Sequence, residues 1–262
     1  MDLSVFSLEG KVAVVTGGSR GIGRAAALAM ADAGAHVVVA SRKIADLEKV
    51  AAEISAKGVR GRAIATHVGK TDECNRLIEQ TMKEFGRLDI LFNNAGTNPY
   101  YGPLMDQDET TYDITMNVNT KSIFVLSRLA ARIMKDQGGG AIINTSSIGG
   151  IRAGDLGVYC TSKAAVIMLT QVMAKEWGQY NIRVNAIAPG IIKTRLSEAL
   201  WKDPRVNAVA VSQIPTLRLG EPEELGGLVV FLASDAGSYV TGETIVVDGG
   251  KVHGEPAWRA RK

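Results

Sequence analysis

The chain has 262 residues, of which 46% are hydrophobic and 22% charged, a composition that fits a globular protein with one large α/β domain or two small ones. Its 30 basic and 27 acidic residues are too evenly balanced to indicate a nucleic-acid partner, and no apolar run approaches the length of a membrane span. The first residues lack the features of a secretory signal, and Cys74 and Cys160 have no metal-ligand spacing, so we expect a cytoplasmic protein with reduced thiols, no metal site and no membrane partner.

The first half of the chain alternates between short apolar runs and helical patterns. Residues 11–16 predict a buried strand, which is followed by a glycine-rich loop and by an alanine-rich helix over 24–33. The next elements repeat this order, with strands predicted at 35–40, 62–68 and 88–93 and helices at 44–57 and 71–85.

The second half continues the alternation. A long helical stretch over 110–135 is predicted to break near Asn119. Strands follow at 141–146, 183–188 and 244–247, with helices at 159–180 and 221–232. Seven strands that alternate with helices predict an α/β doubly wound Rossmann fold, a seven-stranded parallel sheet with helices on both faces. Because no linker-like tract divides the chain, we expect a single domain over residues 1–262.

Residues 194–220 interrupt this alternation. The segment is mostly apolar, is broken by Pro204 and Pro215, and follows the sixth predicted strand. A long insertion at the carboxyl end of a strand is where a lid over a ligand crevice would lie, although a helical hairpin that only packs or oligomerises is the alternative. Because the segment carries few cations, we expect a substrate beneath it to be moderately hydrophobic rather than strongly anionic.

The loop after the first strand has the glycine spacing Thr16-Gly17-x-x-x-Gly21-x-Gly23. Glycines permit a tight turn and the close approach of backbone to a pyrophosphate. The N-terminus of the following helix directs free N–H groups and partial positive charge at such an anion. The order strand, loop, helix and second strand is the context that a phosphate cradle requires, so the sequence predicts a dinucleotide site here.

The end of the second strand indicates which dinucleotide is bound. An acidic residue for the ribose 2′-hydroxyl of NAD is usual there, but this chain has Ser41-Arg42-Lys43. Two cations, with Arg20 of the glycine loop as a third, attract a 2′-phosphate, so we predict NADP(H) rather than NAD(H). The alternative is that Arg42 and Lys43 only begin a solvated helix.

Tyr159 and Lys163 stand four residues apart at the start of a predicted helix, which places both on one helix face. A phenol has a pKa of about 10 and is a poor base at neutral pH. An ammonium about 4 Å away contributes roughly 4 kcal/mol at an effective dielectric of about 20, enough to lower that pKa by up to about three units. We therefore expect the pair to move a proton near neutral pH.

These motifs occur in the order found in short-chain dehydrogenases/reductases, and the chain resembles that family over nearly its whole length. The residues that carry the resemblance are Thr16-Gly17-x-x-x-Gly21-x-Gly23, Asn93-Asn94-Ala95-Gly96, Asn119, Ser146-Ser147, Tyr159-x-x-x-Lys163 and Pro189-Gly190-Ile191-Ile192-Lys193-Thr194. Within the family the chain is similar to NADP-dependent carbonyl/retinol reductases, bacterial 3-oxoacyl-carrier-protein reductases and gluconate 5-dehydrogenase-like enzymes. The resemblance implies an oxidoreductase that interconverts a ketone or aldehyde and an alcohol by hydride transfer, assembled as a homotetramer on the helices before and after the fifth strand.

The resemblance also implies a role for each residue. Tyr159 would be the general acid or base, Lys163 would lower its pKa and bind the nicotinamide ribose, a serine hydroxyl would hold the substrate oxygen, and Asn119 would anchor a proton-relaying water. The expected cofactor contacts are Gly17, Ser19, Arg20, Gly21, Ile22, Gly23, Ser41, Arg42, Lys43, His67, Val68, Asn94, Ala95, Gly96, Thr145, Tyr159, Lys163, Pro189, Gly190, Ile192 and Thr194.

Two positions depart from the family pattern. The Ile-Gly-Gly that follows Ser147 favours it as the catalytic serine, whereas Ser146 would restore the commoner spacing to Tyr159. His67 stands where the family usually has an aspartate that binds the adenine amine. Its ring could stack on the base or donate to it, or it could be a polar strand end at the surface.

Two other functions remain as alternatives. The first is a catalytically silent dinucleotide-binding protein that senses the cofactor or scaffolds partners, against which the intact Asn–Ser–Tyr–Lys set argues. The second is an epimerase or enoyl reductase. Epimerase relatives usually space the glycines differently, and enoyl reductases separate the tyrosine and lysine further.

Overall fold

The computed structural model describes residues 2–154 and 156–256. Met1, Asp155 and residues 257–262, which the single-domain prediction over 1–262 includes, lie outside the described residues. Among the described residues, none of the helices combines the length and the apolar character needed to cross a membrane.

In the described part of the chain, seven strands form one sheet and every neighbouring pair is parallel. The strands are β1 (Val12–Thr16), β2 (His36–Ser41), β3 (Gly61–Ala65), β4 (Ile90–Asn93), β5 (Gly140–Thr145), β6 (Ile182–Pro189) and β7 (Thr244–Val247). Their order across the sheet is β3-β2-β1-β4-β5-β6-β7. The predicted doubly wound α/β fold is confirmed.

Helices lie on both faces of this sheet. They are α1 (Gly21–Asp32), α2 (Ile44–Ser55), α3 (Thr71–Phe85), α4 (Glu109–Met116), α5 (Ser122–Asp136), α6 (Gly157–Trp177), α7 (Pro204–Ser212) and α8 (Gly226–Ala233). The predicted break near Asn119 is a π-helical turn, Asn117–Lys121, between α4 and α5. The helix predicted to start at residue 221 begins as a 3-10 turn, Pro222–Leu225, and continues as α8.

Side-chain alternation along the strands divides the core into two halves. Ala13 and Val15 of β1 pack with α1, α2 and α8, whereas Val14 packs with α3, α5 and α6. All five residues of β1 are buried, as expected for a central strand of a parallel sheet covered on both sides. The helices therefore cover both faces of the sheet and leave the carboxyl ends of its strands for a site.

β3 ends before the predicted boundary at residue 68. The backbone N–H of Thr66 still donates to the carbonyl of Ser41 on β2, at 2.8 Å, but the chain then turns into α3. Here the backbone N–H of His67 donates to the carboxylate of Glu73 at 2.6 Å. Side-chain hydrogen bonds of this kind compete with a strand ladder, and they end the strand at Ala65.

The insertion over 194–220 is closed at its base and has a small core of its own. Ile192 and Gly220 form a parallel bridge, and Ala210, Ile214 and Leu219 are buried together. The segment is therefore an ordered cap beside the ends of β6 and β7.

Candidate active site

A cleft of about 1680 Å³ runs along the carboxyl edge of the sheet, where the strand order reverses between β1 and β4. Open parallel sheets bind ligands at such a switch point. The loops that follow all seven strands contribute to its walls. The cleft is larger than the roughly 300–1,000 Å³ of a typical small-molecule pocket, so it has room for a dinucleotide and a second ligand.

The glycine loop forms one end of the cleft, and its glycines are required by close contacts. A Cβ on Gly23 would lie 2.4 Å from the carbonyl oxygen of Gly17, and Gly17 itself has a positive φ of 66°. Arg20, the residue that precedes α1, makes no side-chain hydrogen bond to cap that helix. The first N–H groups of α1 are thus available to an anion.

Asn94 fixes the loop after β4 against the glycine loop. Its side-chain amide donates to the carbonyl of Thr16 at 3.1 Å, and its backbone N–H donates to the hydroxyl of Thr16 at 3.0 Å. The backbone N–H of Ala95 donates to the same hydroxyl at 3.1 Å. Gly96 follows, and a Cβ there would lie 3.6 Å from Nζ of Lys163, so this loop connects the two ends of the cleft.

Two buried polar atoms on the cleft wall have no hydrogen bond within the described residues, and one of them is the side-chain amide nitrogen of Asn98. The other is the hydroxyl oxygen of Thr145, in a residue that is 8% exposed. A buried hydroxyl normally has a partner, so the hydroxyl of Thr145 indicates a position where a ligand binds. Together with the glycine cradle and the uncapped N-terminus of α1, it shows that the residues present fit a dinucleotide.

A cationic edge lies beside the glycine loop. Arg20, Arg42 and Lys43 line the cleft together with Ser41 and Val68. Within the described residues, none of the three cations forms an ion pair with a carboxylate. Their charges are therefore free to meet an anionic group of a ligand.

His67 lines the cleft, but one of its ring nitrogens is already used. Its Nδ1 accepts from the backbone N–H of Gly69 at 3.1 Å. The proton of a neutral ring then lies on Nε2, so the ring can offer a donor to the cleft while its other nitrogen supports the turn into α3.

Asn119 lies behind the cleft. The residue is fully buried. Its side-chain amide donates to the carbonyl of Thr97 at 2.9 Å and to the hydroxyl of Ser162 at 3.0 Å, and its side-chain oxygen accepts from the backbone N–H of Thr97 at 2.8 Å. The amide therefore joins the π-helical turn to α6 and to the loop after β4. These bonds use both side-chain N–H donors of Asn119, so any water that it anchors must donate to one of its oxygens.

The two adjacent serines face different surroundings. The hydroxyl of Ser146 is buried and donates to the backbone carbonyl of Lys163 at 2.8 Å. The hydroxyl of Ser147 accepts from the backbone N–H of Gly149 at 3.1 Å and hydrogen-bonds Tyr159. Of the two hydroxyls, that of Ser147 is the one that lowers the pKa of Tyr159.

Burial dominates the pKa values of Tyr159 and Lys163 in this arrangement of protein groups, and the lowering of the Tyr159 pKa by Lys163 stays a prediction. Burial raises the pKa of Tyr159 to about 12, and the hydrogen bond with Ser147 lowers it in part. Nζ of Lys163 donates to the carbonyl of Thr145 at 2.7 Å and lies 5.8 Å from the centroid of the tyrosine ring. Burial also lowers the pKa of Lys163 to about 8, because the same desolvation acts against its charge.

The loop after β6 forms the far wall of the cleft. Pro189, Gly190, Ile192 and Thr194 all line it. A Cβ on Gly21 would lie 3.1 Å from the methyl group of Thr194, so this wall meets the glycine loop across the cleft.

Most of the sequence-predicted residues thus face one cleft. The exceptions are Gly23, which supports the glycine loop from within α1, and Asn119.

Comparisons with known proteins decide the family. The family model described as enoyl-(acyl carrier protein) reductase matches residues 17–251. The chain is 40% identical over 244 residues to dehydrogenase/reductase SDR family member 4 of the rabbit, Oryctolagus cuniculus, and the match covers 93% of this chain and 94% of the relative. The chain belongs to the short-chain dehydrogenase/reductase family. The resemblance inferred from the motifs is confirmed.

Two solved structures show how closely this short-chain dehydrogenase/reductase follows its relatives. A gluconate 5-dehydrogenase from Burkholderia cenocepacia, in complex with NADP and tartrate, is 33% identical, with a TM-score of 0.91 and coverage of 96% of this chain and 98% of that one. A 7α-hydroxysteroid dehydrogenase complexed with NADH and 7-oxo glycochenodeoxycholic acid is also 33% identical, with a TM-score of 0.91 and coverage of 95% and 97%. The protein is therefore an oxidoreductase whose fold binds a nicotinamide dinucleotide and acts on a small molecule.

Several residues on the substrate side of this dehydrogenase/reductase were not predicted from the sequence. They are Asn98, Arg152, Gln213 and Lys251, all of which line the cleft. Asn98 follows the Asn93-Asn94-Ala95-Gly96 motif, so extending that loop would have found it. Lys251 follows the Asp248-Gly249-Gly250 turn after β7, a signal that the chain returns to the same edge of the sheet.

Proposed function

We propose that the protein is an NADP(H)-dependent oxidoreductase that interconverts a ketone or aldehyde and an alcohol, with Tyr159 as general acid/base and Ser147 holding the substrate oxygen. The observation that carries the proposal is the hydrogen-bonded pair of Ser147 and Tyr159, with the buried Lys163, on the wall of a cleft that fits a dinucleotide. When bound, the dinucleotide supplies or accepts the hydride.

Residues of the protein supply the proton and orient the substrate. Because burial raises the pKa of Tyr159 to about 12, the phenol is protonated at neutral pH and serves as the acid in the reducing direction. Reduction adds a hydride to the carbonyl carbon and a proton from Tyr159 to its oxygen. Lys163 lies beside the pair, where its ammonium stabilises the phenolate that this step leaves behind.

The experiment is a carbonyl panel with Tyr159→Phe as the matched variant. NADPH consumption is followed with diketones, ketoacyl thioesters, keto-sugars, steroids and retinal, and with an enoyl thioester because the matched family model carries that description. We expect a carbonyl substrate to be turned over, and we expect the variant to lose about 100-fold or more in kcat. Undiminished turnover by the variant would refute the acid/base role. Absence of turnover across the panel would favour the catalytically silent binding protein.

The preference for NADP(H) is supported by the unpaired cations beside the glycine loop. Arg42→Gln is expected to raise the KM for NADPH by about tenfold or more and to leave the KM for NADH nearly unchanged, because only NADPH carries the 2′-phosphate. Lys49→Gln, on an exposed position of α2, is the matched control. A wild-type KM for NADH equal to or below that for NADPH would overturn the preference.

Exposed apolar side chains on the helices that flank β5 support assembly into a homotetramer. Phe124 on α5 and Met168 and Val172 on α6 are 44%, 59% and 43% exposed. Apolar groups exposed together on helices mark association surfaces. Analytical ultracentrifugation of the wild type and of Met168→Glu tests the proposal, and a wild-type monomer at micromolar concentration would refute it.

A further inference from the structure

Two cations lie at the end of the cleft that is distant from the glycine loop. Arg152 follows β5 and Lys251 follows β7, and both line the cleft. β7 is five strand positions from β2, about 24 Å at about 4.8 Å per strand. Lys251 is therefore too far from Arg42 to share one phosphate with it.

Each of the two cations is held by a neutral acceptor. Nη1 of Arg152 donates to the backbone carbonyl of Val252 at 3.1 Å, and Nζ of Lys251 donates to the side-chain oxygen of Gln213 at 2.8 Å. Within the described residues, neither cation forms an ion pair with a carboxylate. A guanidinium has five N–H donors and an ammonium three, so several donors of each remain for a ligand.

The two like charges act on one another. Burial lowers the pKa of Lys251, and the charge of Arg152 lowers it further, while Glu255 and Asp248 act in the opposite direction. An anion bound between the two cations would remove this repulsion. Glu255 lines the same cleft and is the resident carboxylate with which such an anion would compete.

Arg152 is also close in the chain to the residues of the proposed chemistry. Arg152 is on the loop that begins at Ser147, and its backbone N–H donates to the carbonyl of Ile148 at 3.1 Å. Tyr101, whose hydroxyl donates to the carbonyl of Leu196 at 3.3 Å, closes the side of the cleft beside Tyr159. A substrate whose carbonyl lies at Tyr159 is thus in the same cleft as both cations.

We propose that Arg152 and Lys251 form a subsite for a carboxylate of the substrate, so that the substrate class is an oxo acid and the corresponding hydroxy acid. This inference rests on the proposed function, because Ser147 and Tyr159 must hold the carbonyl at the other end. It differs from the expectation drawn from the insertion alone, since the two cations lie outside residues 194–220. Arginine supplies a planar fork for both carboxylate oxygens, and lysine adds a point charge.

The test compares oxo acids of four to eight carbons with their methyl esters as substrates. For the wild type, we expect kcat/KM for the best acid to exceed that for its ester by about tenfold or more, which is the effect of one charge-assisted hydrogen bond. Arg152→Gln and Lys251→Gln should each remove most of this ratio by lowering kcat/KM for the acid only. Arg152→Lys should retain part of it, and Glu255→Gln should lower KM for the acid.

The matched control is Lys202→Gln, an exposed cation of the insertion that pairs with Glu198 and does not line the cleft. If Arg152 and Lys251 only hold the C-terminal segment in place, their variants will impair acid and ester equally, and the proposal is then overturned. The same conclusion follows if the wild type turns over esters or neutral ketones as well as acids.

A binding measurement separates failure of this inference from failure of the proposed function. Calorimetry with succinate and glutarate, in the presence of NADP⁺, needs no turnover. Binding by the wild type that is lost in Arg152→Gln and weakened by salt supports the anion subsite, even if no carbonyl compound is reduced. Turnover of neutral ketones without any dicarboxylate binding would retain the proposed function and refute the subsite.

Discussion

Replacing the buried Lys163 by methionine is expected to stabilise the folded protein while removing carbonyl reduction. The residue is 3% exposed, and burial lowers its pKa from 10.5 to about 8. At about 1.36 kcal/mol per pKa unit, that difference is a penalty of about 3 kcal/mol for keeping the ammonium charged at pH 7. The variant also loses the hydrogen bond from Nζ to the carbonyl of Thr145, which costs about 1 to 2 kcal/mol. The net gain is about 1 to 2 kcal/mol, or about 4 °C in Tm.

The pH dependence has a definite sign. A lysine whose folded-state pKa is lowered destabilises the protein fully below pH 8, where both the folded and the unfolded states carry the charge. Between pH 8 and 10.5 the folded state releases its proton before the unfolded state does, so wild-type stability rises and the advantage of the variant shrinks. Urea unfolding at pH 7 and pH 10, at one protein concentration, measures this difference. Lys175→Met, on an exposed position of the same helix, is the control.

Two results would refute the reasoning about Lys163. The first is a variant that is no more stable than the wild type at pH 7. The second is a gain that is as large at pH 10 as at pH 7, because the gain would then not come from a buried charge.

Three further predictions concern single side chains. Ser147→Ala is expected to lower kcat by about 100-fold, because it removes the hydroxyl that bonds Tyr159. Ser146→Ala should leave kcat nearly unchanged and lower the free energy of unfolding by about 1 kcal/mol, since its buried hydroxyl bonds only the backbone; steady-state kinetics with the reverse outcome would exchange the two roles. Gly23→Ala should weaken NADPH binding about tenfold or more in a fluorescence titration, because the new Cβ lies 2.4 Å from a carbonyl oxygen. Gly227→Ala, where a Cβ meets nothing within 4 Å, is its control and should stabilise the protein by about 0.5 to 1 kcal/mol with an unchanged Kd.

The sheet was predictable because its strands are local and strongly patterned. The apolar run at 11–16 is buried on both sides, and so it forms β1 almost at the predicted boundaries. β3 was predicted too long because its end depends on a hydrogen bond from His67 to Glu73, which lies in the next helix. Strand propensity is a local property of the sequence, so it does not indicate that a side chain of another element will replace a hydrogen bond of the sheet.

The phosphate end of the cleft was predictable for a related reason. Its residues lie in one glycine-rich loop and at the end of β2, both of which have a recognisable spacing. The substrate end is assembled from Arg152, Gln213 and Lys251, which are far apart in the chain. Only the return of the C-terminal segment to the edge of the sheet brings them together, and no local pattern encodes that contact. The burial that raises the pKa of Tyr159 was not predictable for a similar reason, because the helical spacing to Lys163 gives no information about desolvation.

The distinction between Ser146 and Ser147 follows from strand parity rather than from loop length. The chain remains extended beyond β5: the backbone N–H of Ser146 donates to the carbonyl of Ile187 at 2.8 Å, and Ser147 has φ −168° and ψ 158°. Successive side chains of an extended chain point to opposite sides. All three residues line the cleft, but the hydroxyl of Ser146 points to the backbone of α6, whereas the side chains of Thr145 and Ser147 lie on the opposite side of the chain. The spacing to Tyr159 along the chain favoured Ser146. That spacing depends on the length of the loop between them, and the loop length can vary without changing the side of the chain on which each serine lies.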